Sequence, residues 1–365
     1  MVITRTPFRV SFFGGGTDYP GWFQRHGGAV LACGIDKYCY ITLRYLPPFF
    51  PHRYRIVYSR TESCGSPSEI QHPAVRAVCE QFFANRGVEI HHDGDLPARS
   101  GMGSSSSFAV GLLNAAYALT GTMTSRMQLA REAIRLEQDV LKETVGCQDQ
   151  VLASYGGLHF VRFDPSGEIL VRPITISRER LREFSGHLML FFTGVIRTSS
   201  DVAGSYVPDI ASKEAQLASY VPMVEEGSRI LSSARSLRPF GELLHKAWMA
   251  KRSLSPEVSS PEIDGWYETA RKNGAVGGKL LGAGGGGFLL LFVEPSRQAA
   301  VREALGGLLE IPFELDPLGS QIIFFDRQND YRQAETRRSG RPVAAPIDRN
   351  VSLAAKASTP TKNCP

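Results

Sequence analysis

LPARSGMGSSSSFAVGLLNA, residues 96–115, is the stretch on which the reading of this chain turns. Glycine, methionine and four consecutive serines stand directly before an apolar run. A helix start leaves its first amide N–H groups unpaired and carries a partial positive charge. Glycines there let a polyphosphate approach the main chain, and serine hydroxyls add donors or a magnesium ligand. Gly101, Gly103 and Ser104 to Ser107 fit that role. The same residues read equally well as a flexible, well-capped helix start, because short glycine motifs produce many false matches.

Working outward, the chain has 365 residues, the size of two domains. Hydrophobic residues make up 42% and charged residues 21%, an ordinary globular balance. The formal charge of +5 resides in the last segment. From Arg327 onward there are eight Lys/Arg and three Asp/Glu, whereas residues 1–326 carry 33 of each sign. A neutral body gives no reason to expect nucleic acid as a partner. The longest apolar runs, such as FLLLFV, are far too short to cross a bilayer, so no membrane partner is expected either. The six cysteines form no CxxC pair and the histidines no zinc spacing. With arginines and a proline interrupting MVITRTPFRVSFFGGG, they read as reduced thiols of a cytoplasmic protein.

Strand and helix patterns alternate along the chain. FRVSFF, residues 8–13, reads as a strand ending at Gly14-Gly15-Gly16, and GAVLACGIDKYCYITLRYL supplies one or two more. HPAVRAVCEQFFANRG, Ser106–Leu119 and Arg126–Leu141 read as helices, the last capped by Thr124 or Ser125. After about residue 175 the pattern restarts with GHLMLFFTGV, three helical segments, the loop and strand KLLGAGGGGFLLLFV, and a last helix in SRQAAVREALGGL. The expectation is two α+β domains, 1–175 and 176–326, with a disordered basic tail over 327–365.

Three more stretches bear on chemistry. GAGGGG, Gly282–Gly287, matches G-x-G-x-x-G, but a strand-like run follows it where a dinucleotide fingerprint needs a helix. A Walker loop fails as well, because Gly278-Lys279 precedes Leu280. The remaining reading of GAGGGG is a tight turn against a neighbouring backbone. RVSFFGGGTD, Arg9 to Asp18, sets a cation and a carboxylate on either side of a glycine turn, although Asp18 alone could cap that turn. GCQDQ, Gly146–Gln150, brings Asp149 after a helix whose apolar stripe is Leu129, Ala133, Leu136 and Val140, with Glu137 at the border. A border carboxylate more often faces solvent than an interior site. Taken together, two carboxylates, an arginine, a serine-rich helix start and a glycine loop are the parts needed for phosphoryl transfer.

In this order the motifs resemble those of the GHMP small-molecule kinases, over nearly all of residues 1–326. RVSFFGGGTDY is similar to their first motif, LPARSGMGSSSS to the second and KLLGAGGGGF to the third. The resemblance implies a ribosomal-S5-type first domain and a ferredoxin-like second domain, with ATP and acceptor between them. It implies a phosphate loop over Arg99, Ser100, Gly101, Met102, Gly103, Ser104, Ser105 and Ser106, and Mg2+ on Ser105 and Glu137. It implies Asp149 as catalytic base with Arg9 beside it, and Gly15, Gly16, Thr17, Asp18, Gly284, Gly285 and Gly286 around the acceptor. Galactokinases carry a Glu-His pair where this chain has Gly15-Gly16. FFGGGTDYP, GIDKYCYI and GCQDQ are instead similar to the branch acting on D-glycero-D-manno-heptose 7-phosphate. That likeness implies phosphorylation at C1 for nucleotide-heptose synthesis. A galactose- or fucose-type kinase and a non-catalytic sugar sensor are the rivals. Arg197, in TGVIRTSSD, is a candidate for the substrate phosphate, though a surface arginine beside a helix cap is the commoner reading.

Overall fold

The computed structural model describes residues 1–195 and 214–327, with Tyr331, Gln333, Ala334 and Arg337 beyond them. Arg197 and nearly all of the 327–365 segment lie outside the described residues. In chain order the first half comprises β1 (Val2–Phe13), α1 (Pro20–His26), β2 (Gly28–Tyr45), β3 (Tyr54–Val57), β4 (Thr61–Cys64), α2 (Pro73–Phe83), β5 (Val88–Gly94), α3 (Ser104–Leu119), α4 (Arg126–Ile134), α5 (Gln148–Tyr155), β6 (Leu158–Phe163) and β7 (Ile169–Pro173). The second comprises α6 (Arg178–Ser185), β8 (Leu188–Phe192), α7 (Glu214–Ala218), α8 (Tyr220–Ser232), α9 (Arg238–Arg252), α10 (Pro261–Lys272), β9 (Ala275–Leu280), β10 (Phe288–Val293), α11 (Gln298–Ala304), β11 (Leu309–Glu310) and β12 (Gln321–Phe325).

Two sheets organise these elements. The larger runs β12-β1-β2-β5-β3-β4, with β6 and β7 branching from β2. β2 can serve two partners because it is long: residues 28–33 pair with β6 and residues 39–45 with β5. The smaller sheet runs β11-β8-β10-β9, all antiparallel. The α+β architecture expected from the sequence is therefore present. Residues 314–325, which the sequence pattern placed with the second half, join the first sheet. β12 pairs with Val2–Arg5 of β1, and residues 314–316 bond to Gly34, Asp36 and Gly157. The chain thus returns to the first sheet, and residues 314–325 cover an edge that β1 would otherwise leave unpaired.

The two halves meet at a cluster of phenylalanines. Phe12 and Phe13 of β1 pack edge-on against Phe240 of α9, and Phe12 and Phe240 also meet Phe184 of α6. All four rings are 2% exposed or less. Truncating one such ring to alanine typically costs ~3–5 kcal/mol. This cluster fixes the second half directly behind the turn at Gly14–Gly16, where β1 ends.

Candidate active site

The start of α3 is bare in the way its sequence suggested. Its N-cap is Gly103, at φ +74°, and no side chain caps the helix. Ser107 N–H bonds back to the Gly103 carbonyl, so the preceding N–H groups have no intrahelical acceptor. Ser104, Ser105 and Ser106 lie in the first helical turn and line a cavity of about 1080 Å3. Gly103 is required here on two counts. Its left-handed backbone disfavours other residues, and a Cβ would stand 3.1 Å from Arg9 Cγ and 3.4 Å from Asp149 Oδ2.

Across the loop, Arg9 binds Asp149 through two parallel bonds, Nε to Oδ1 and Nη2 to Oδ2, both 2.7 Å. Its third nitrogen donates to the Gly101 carbonyl at 2.7 Å, and its main-chain N–H to the Met102 carbonyl at 3.0 Å. Arg9 is buried, whereas the Asp149 side chain keeps 24% exposure. The guanidinium fork therefore fixes the carboxylate in one orientation while leaving it access to the cavity. Asp149 sits in the first turn of α5, where the helix dipole favours a negative charge.

Glu137 is the larger surprise. The stripe Leu129, Ala133 and Leu136 is buried as expected, but Val140 is 47% exposed and Glu137 wholly buried. The cause is a π-helical turn over Arg135–Val140, with Leu141 N–H bonded to Leu136 C=O. One extra residue in that turn rotates Glu137 inward and Val140 outward. Glu137 accepts from Ser105 Oγ and Ser106 Oγ, each at 2.7 Å, and from Gln150 Nε2 at 2.5 Å. Burial pushes its carboxyl up to about 7, and the three hydrogen bonds hold it partly back. Among the described residues no three His, Cys, Asp or Glu gather into a metal cluster. A single carboxylate and a serine hydroxyl, both hard oxygen donors at the cavity wall, nevertheless suit Mg2+, which completes its shell with phosphate oxygens and water.

The other expected residues divide. Arg99 is exposed at the cavity with a left-handed backbone, φ +60°, and its N–H donates to Ser104 Oγ. Gly15, Gly16 and Asp18 also line the cavity. Asp18 is fully enclosed, accepting from Gly16 N–H at 2.9 Å and Gln148 N–H at 3.1 Å. Burial, and then the neighbouring Asp149 charge, raise its carboxyl above the usual range.

Thr17 does not face the acceptor space. Its hydroxyl locks the turn, 2.8 Å from Gly14 O and accepting from Ala29 N–H. Ser100 turns its hydroxyl to Pro97 O, and Met102 packs its side chain into the core. Gly284, Gly285 and Gly286 are corrected too: they pack on Val258 and Val195. From that loop only Gly282 and Ala283 reach the cavity. A Cβ on Gly282 would lie 2.5 Å from Gly101 Cα, so the third glycine stretch is the close-packed turn that braces the phosphate loop.

Sequence reasoning missed two groups. Lys251 of α9 and Lys279 of β9 are buried yet line the cavity. His72, also in the cavity lining, stacks on Phe108, with ring centroids 4.8 Å apart, and Tyr58 and His92 meet the pair edge-on. Burial first, and then the nearby His92, lower the affinity of His72 for a proton. Lys279 stood inside a quoted motif. Lys251 lies in the last turn of α9, where the dipole favours cations, and no motif marks it.

The comparisons with known proteins fit this geometry. The sequence profile described as the GHMP kinases N terminal domain matches residues 69–157, and that described as GHMP kinases C terminal matches residues 230–310. The chain belongs to the GHMP kinases. It is 26% identical over 314 residues to the D-glycero-alpha-D-manno-heptose 7-phosphate kinase of Campylobacter jejuni, covering 83% of this chain and 92% of that one. It is 24% identical to the galactokinase of Thermococcus kodakarensis, over 86% of this chain and 95% of the relative. The crystal structure of a D-glycero-D-manno-heptose 1-phosphate kinase from Bacteroides thetaiotaomicron superposes with a TM-score of 0.74, at 21% identity, over 89% of this chain and all of that one. As a member of this family the chain is an ATP-dependent kinase.

Proposed function

We propose that this kinase transfers the γ-phosphoryl group of ATP to the anomeric C1 hydroxyl of D-glycero-D-manno-heptose 7-phosphate, giving the 1,7-bisphosphate and ADP. The observation that carries the reaction type is the Arg9–Asp149 fork standing beside the uncapped start of α3 in one cavity. The choice of acceptor is supported by similarity to the Campylobacter jejuni relative and by the small Gly15-Gly16 wall.

In this reading the N–H groups of Ser104, Ser105 and Ser106 receive phosphate oxygens of ATP. Asp149 takes the proton of the C1 hydroxyl as that oxygen bonds to the γ-phosphorus and the bond to ADP breaks. Arg9 orients Asp149 through its two parallel bonds, and its charge lies beside the phosphoryl group in flight. Asp18, with Gly15 and Gly16, offers the sugar ring a polar wall. Ser105 and Glu137 would hold Mg2+, which when bound supplies charge neutralisation across the terminal phosphates. The aromatic cluster of His72, Phe108 and Tyr58 in the cavity lining is apolar enough to receive a nucleoside. The product belongs to the cytoplasmic synthesis of nucleotide-activated heptose for surface polysaccharide.

A coupled ADP-release assay over heptose 7-phosphate, sedoheptulose 7-phosphate, mannose 6-phosphate, galactose and fucose tests this. The expected ranking puts heptose 7-phosphate first by kcat/KM. A preference for galactose or fucose would replace the acceptor while leaving the reaction class, and ADP release with none of the five would refute the sugar assignment.

A further inference from the structure

The cavity holds two ammonium groups that the chemistry above does not use. Lys251 Nζ donates to the Leu280 carbonyl at 3.1 Å and to that of Gly282. Lys279 Nζ donates to the Phe12 carbonyl at 3.0 Å. Every one of these partners is a main-chain carbonyl. An ammonium has three donors, so the two groups spend half of their six on the protein. Both side chains are buried, at 8% and 7% exposure, and both line the cavity.

Two like charges taken out of water without a counter-ion destabilise a fold. Here the neighbouring charges make this worse. Burial, then Lys279 and Arg9, lower the proton affinity of Lys251 well below its ordinary value. Burial, then Arg9, bring that of Lys279 down to about 7. Among the described residues neither lysine is ion-paired with a carboxylate, and Asp149, which lines the same cavity, is already held by both arms of Arg9. Such an arrangement is completed by an anion that arrives with a ligand.

Position indicates which anion. The groups assigned to ATP, Ser104–Ser106 and Glu137, all hang from the first half of the chain. Lys251 and Lys279 come from α9 and β9 of the second half. Lys279 is anchored on Phe12, two residues before the Gly14–Gly16 turn that forms the acceptor wall. Lys251 is anchored on Gly282, beside Ala283, on the cavity side of the bracing loop.

We propose that Lys251 and Lys279 form the subsite for a phosphate monoester carried by the acceptor, remote from the hydroxyl that reacts. The inference rests on the reading above that the acceptor is a sugar phosphate. It assigns to described residues the role for which the sequence offered Arg197. The subsite makes the enzyme prefer a phosphorylated sugar over the same sugar without its phosphate, because only the phosphate brings the anion that the unused donors of both lysines can bind.

The test compares kcat/KM for heptose 7-phosphate with that for unphosphorylated heptose, in the wild type, Lys251→Met, Lys279→Met and Lys279→Arg. Each methionine variant should reduce the ratio of the two values by roughly ten- to a hundredfold, the worth of a charge-assisted hydrogen bond. Lys279→Arg should retain most of the ratio. An unchanged ratio, or a fall in kcat shared equally by both sugars, would overturn the subsite, and the second result would move the lysines to the transferring phosphoryl group. A binding readout separates this inference from the reading it rests on. With the phosphate loop filled by saturating AMPPNP, inorganic phosphate should bind the wild type at least tenfold more tightly than Lys251→Met or Lys279→Met by calorimetry. If the wild type turns over no sugar phosphate yet shows this difference, the subsite stands and the acceptor assignment falls. If heptose 7-phosphate is the best acceptor and phosphate binds all variants alike, the subsite falls and the acceptor stands.

Discussion

Replacing Glu137 by glutamine separates a structural carboxylate from a functional one, because the two roles predict opposite changes in stability. Burial raises the folded-state carboxyl from 4.5 to about 7. A raised value means that the folded state binds the proton more tightly than the unfolded chain. The stability this gives is fully present below pH 4.5 and is lost as pH rises through about 7. At 1.36 kcal/mol per tenfold change in proton affinity, Glu137 lowers stability by about 3 kcal/mol between those limits. Glutamine does not titrate and escapes that loss. It also fits the site. Gln150 Oε1 is a buried acceptor without a partner among the described residues, so turning the Gln150 amide aside lets it accept from the new amide N–H, and Ser105 Oγ can still donate to the remaining oxygen. In urea unfolding without metal, the stability of Glu137→Gln relative to wild type should therefore increase by about 3 kcal/mol from pH 4.5 to pH 8. The same variant should need roughly tenfold or more Mg2+ for half-maximal turnover. A stability difference that stays flat with pH, or a variant less stable at pH 8 with an unchanged Mg2+ titration, would refute this reasoning and make Glu137 a structural acceptor for Ser105 and Ser106.

Three further substitutions address the rest of the site. Asp149→Asn should keep the fold and ATP-analogue affinity while lowering kcat by about 10²–10⁴-fold in the coupled assay; near-normal turnover would remove Asp149 from the proton transfer. Arg9→Lys cannot reproduce the fork on Asp149 together with the bond to Gly101, and kcat/KM should fall at least about tenfold, with an unchanged value counting against the fork. Gly103→Ala forces a side chain into a left-handed position and against Arg9, so stability should drop by ~1–2 kcal/mol and turnover should fall with it; a neutral result would mean the loop relaxes freely.

Much of the fold was legible because it is written in local pattern. The serine cluster before an apolar run marked α3, Ser125 capped α4 as its sequence position suggested, and the glycine loop followed by FLLLFV gave β10. What escaped was non-local. β12 has no meaning in the sequence until β1 presents an open edge, so the chain's return to the first sheet was invisible. The burial of Glu137 depends on one π-helical turn, and a period of 3.6 residues assigned Val140 to the core instead. Glycine motifs carried a different ambiguity. Gly103 serves the cavity directly, whereas Gly284, Gly285 and Gly286 serve packing, and sequence context alone does not separate a turn facing a ligand from one facing a backbone. Lysines were the hardest to place, since their significance lies in burial without a carboxylate partner among the described residues, a property of the assembled halves.

A crystal structure with AMPPNP and Mg2+ tests the central geometry most directly. The account predicts phosphate oxygens within hydrogen-bond reach of the N–H groups of Ser104–Ser106, with the Asp149 carboxylate facing the open side of the γ-phosphate. Phosphates bound elsewhere in the cavity, or Asp149 turned from the γ-phosphate with Arg9 still attached, would contradict it.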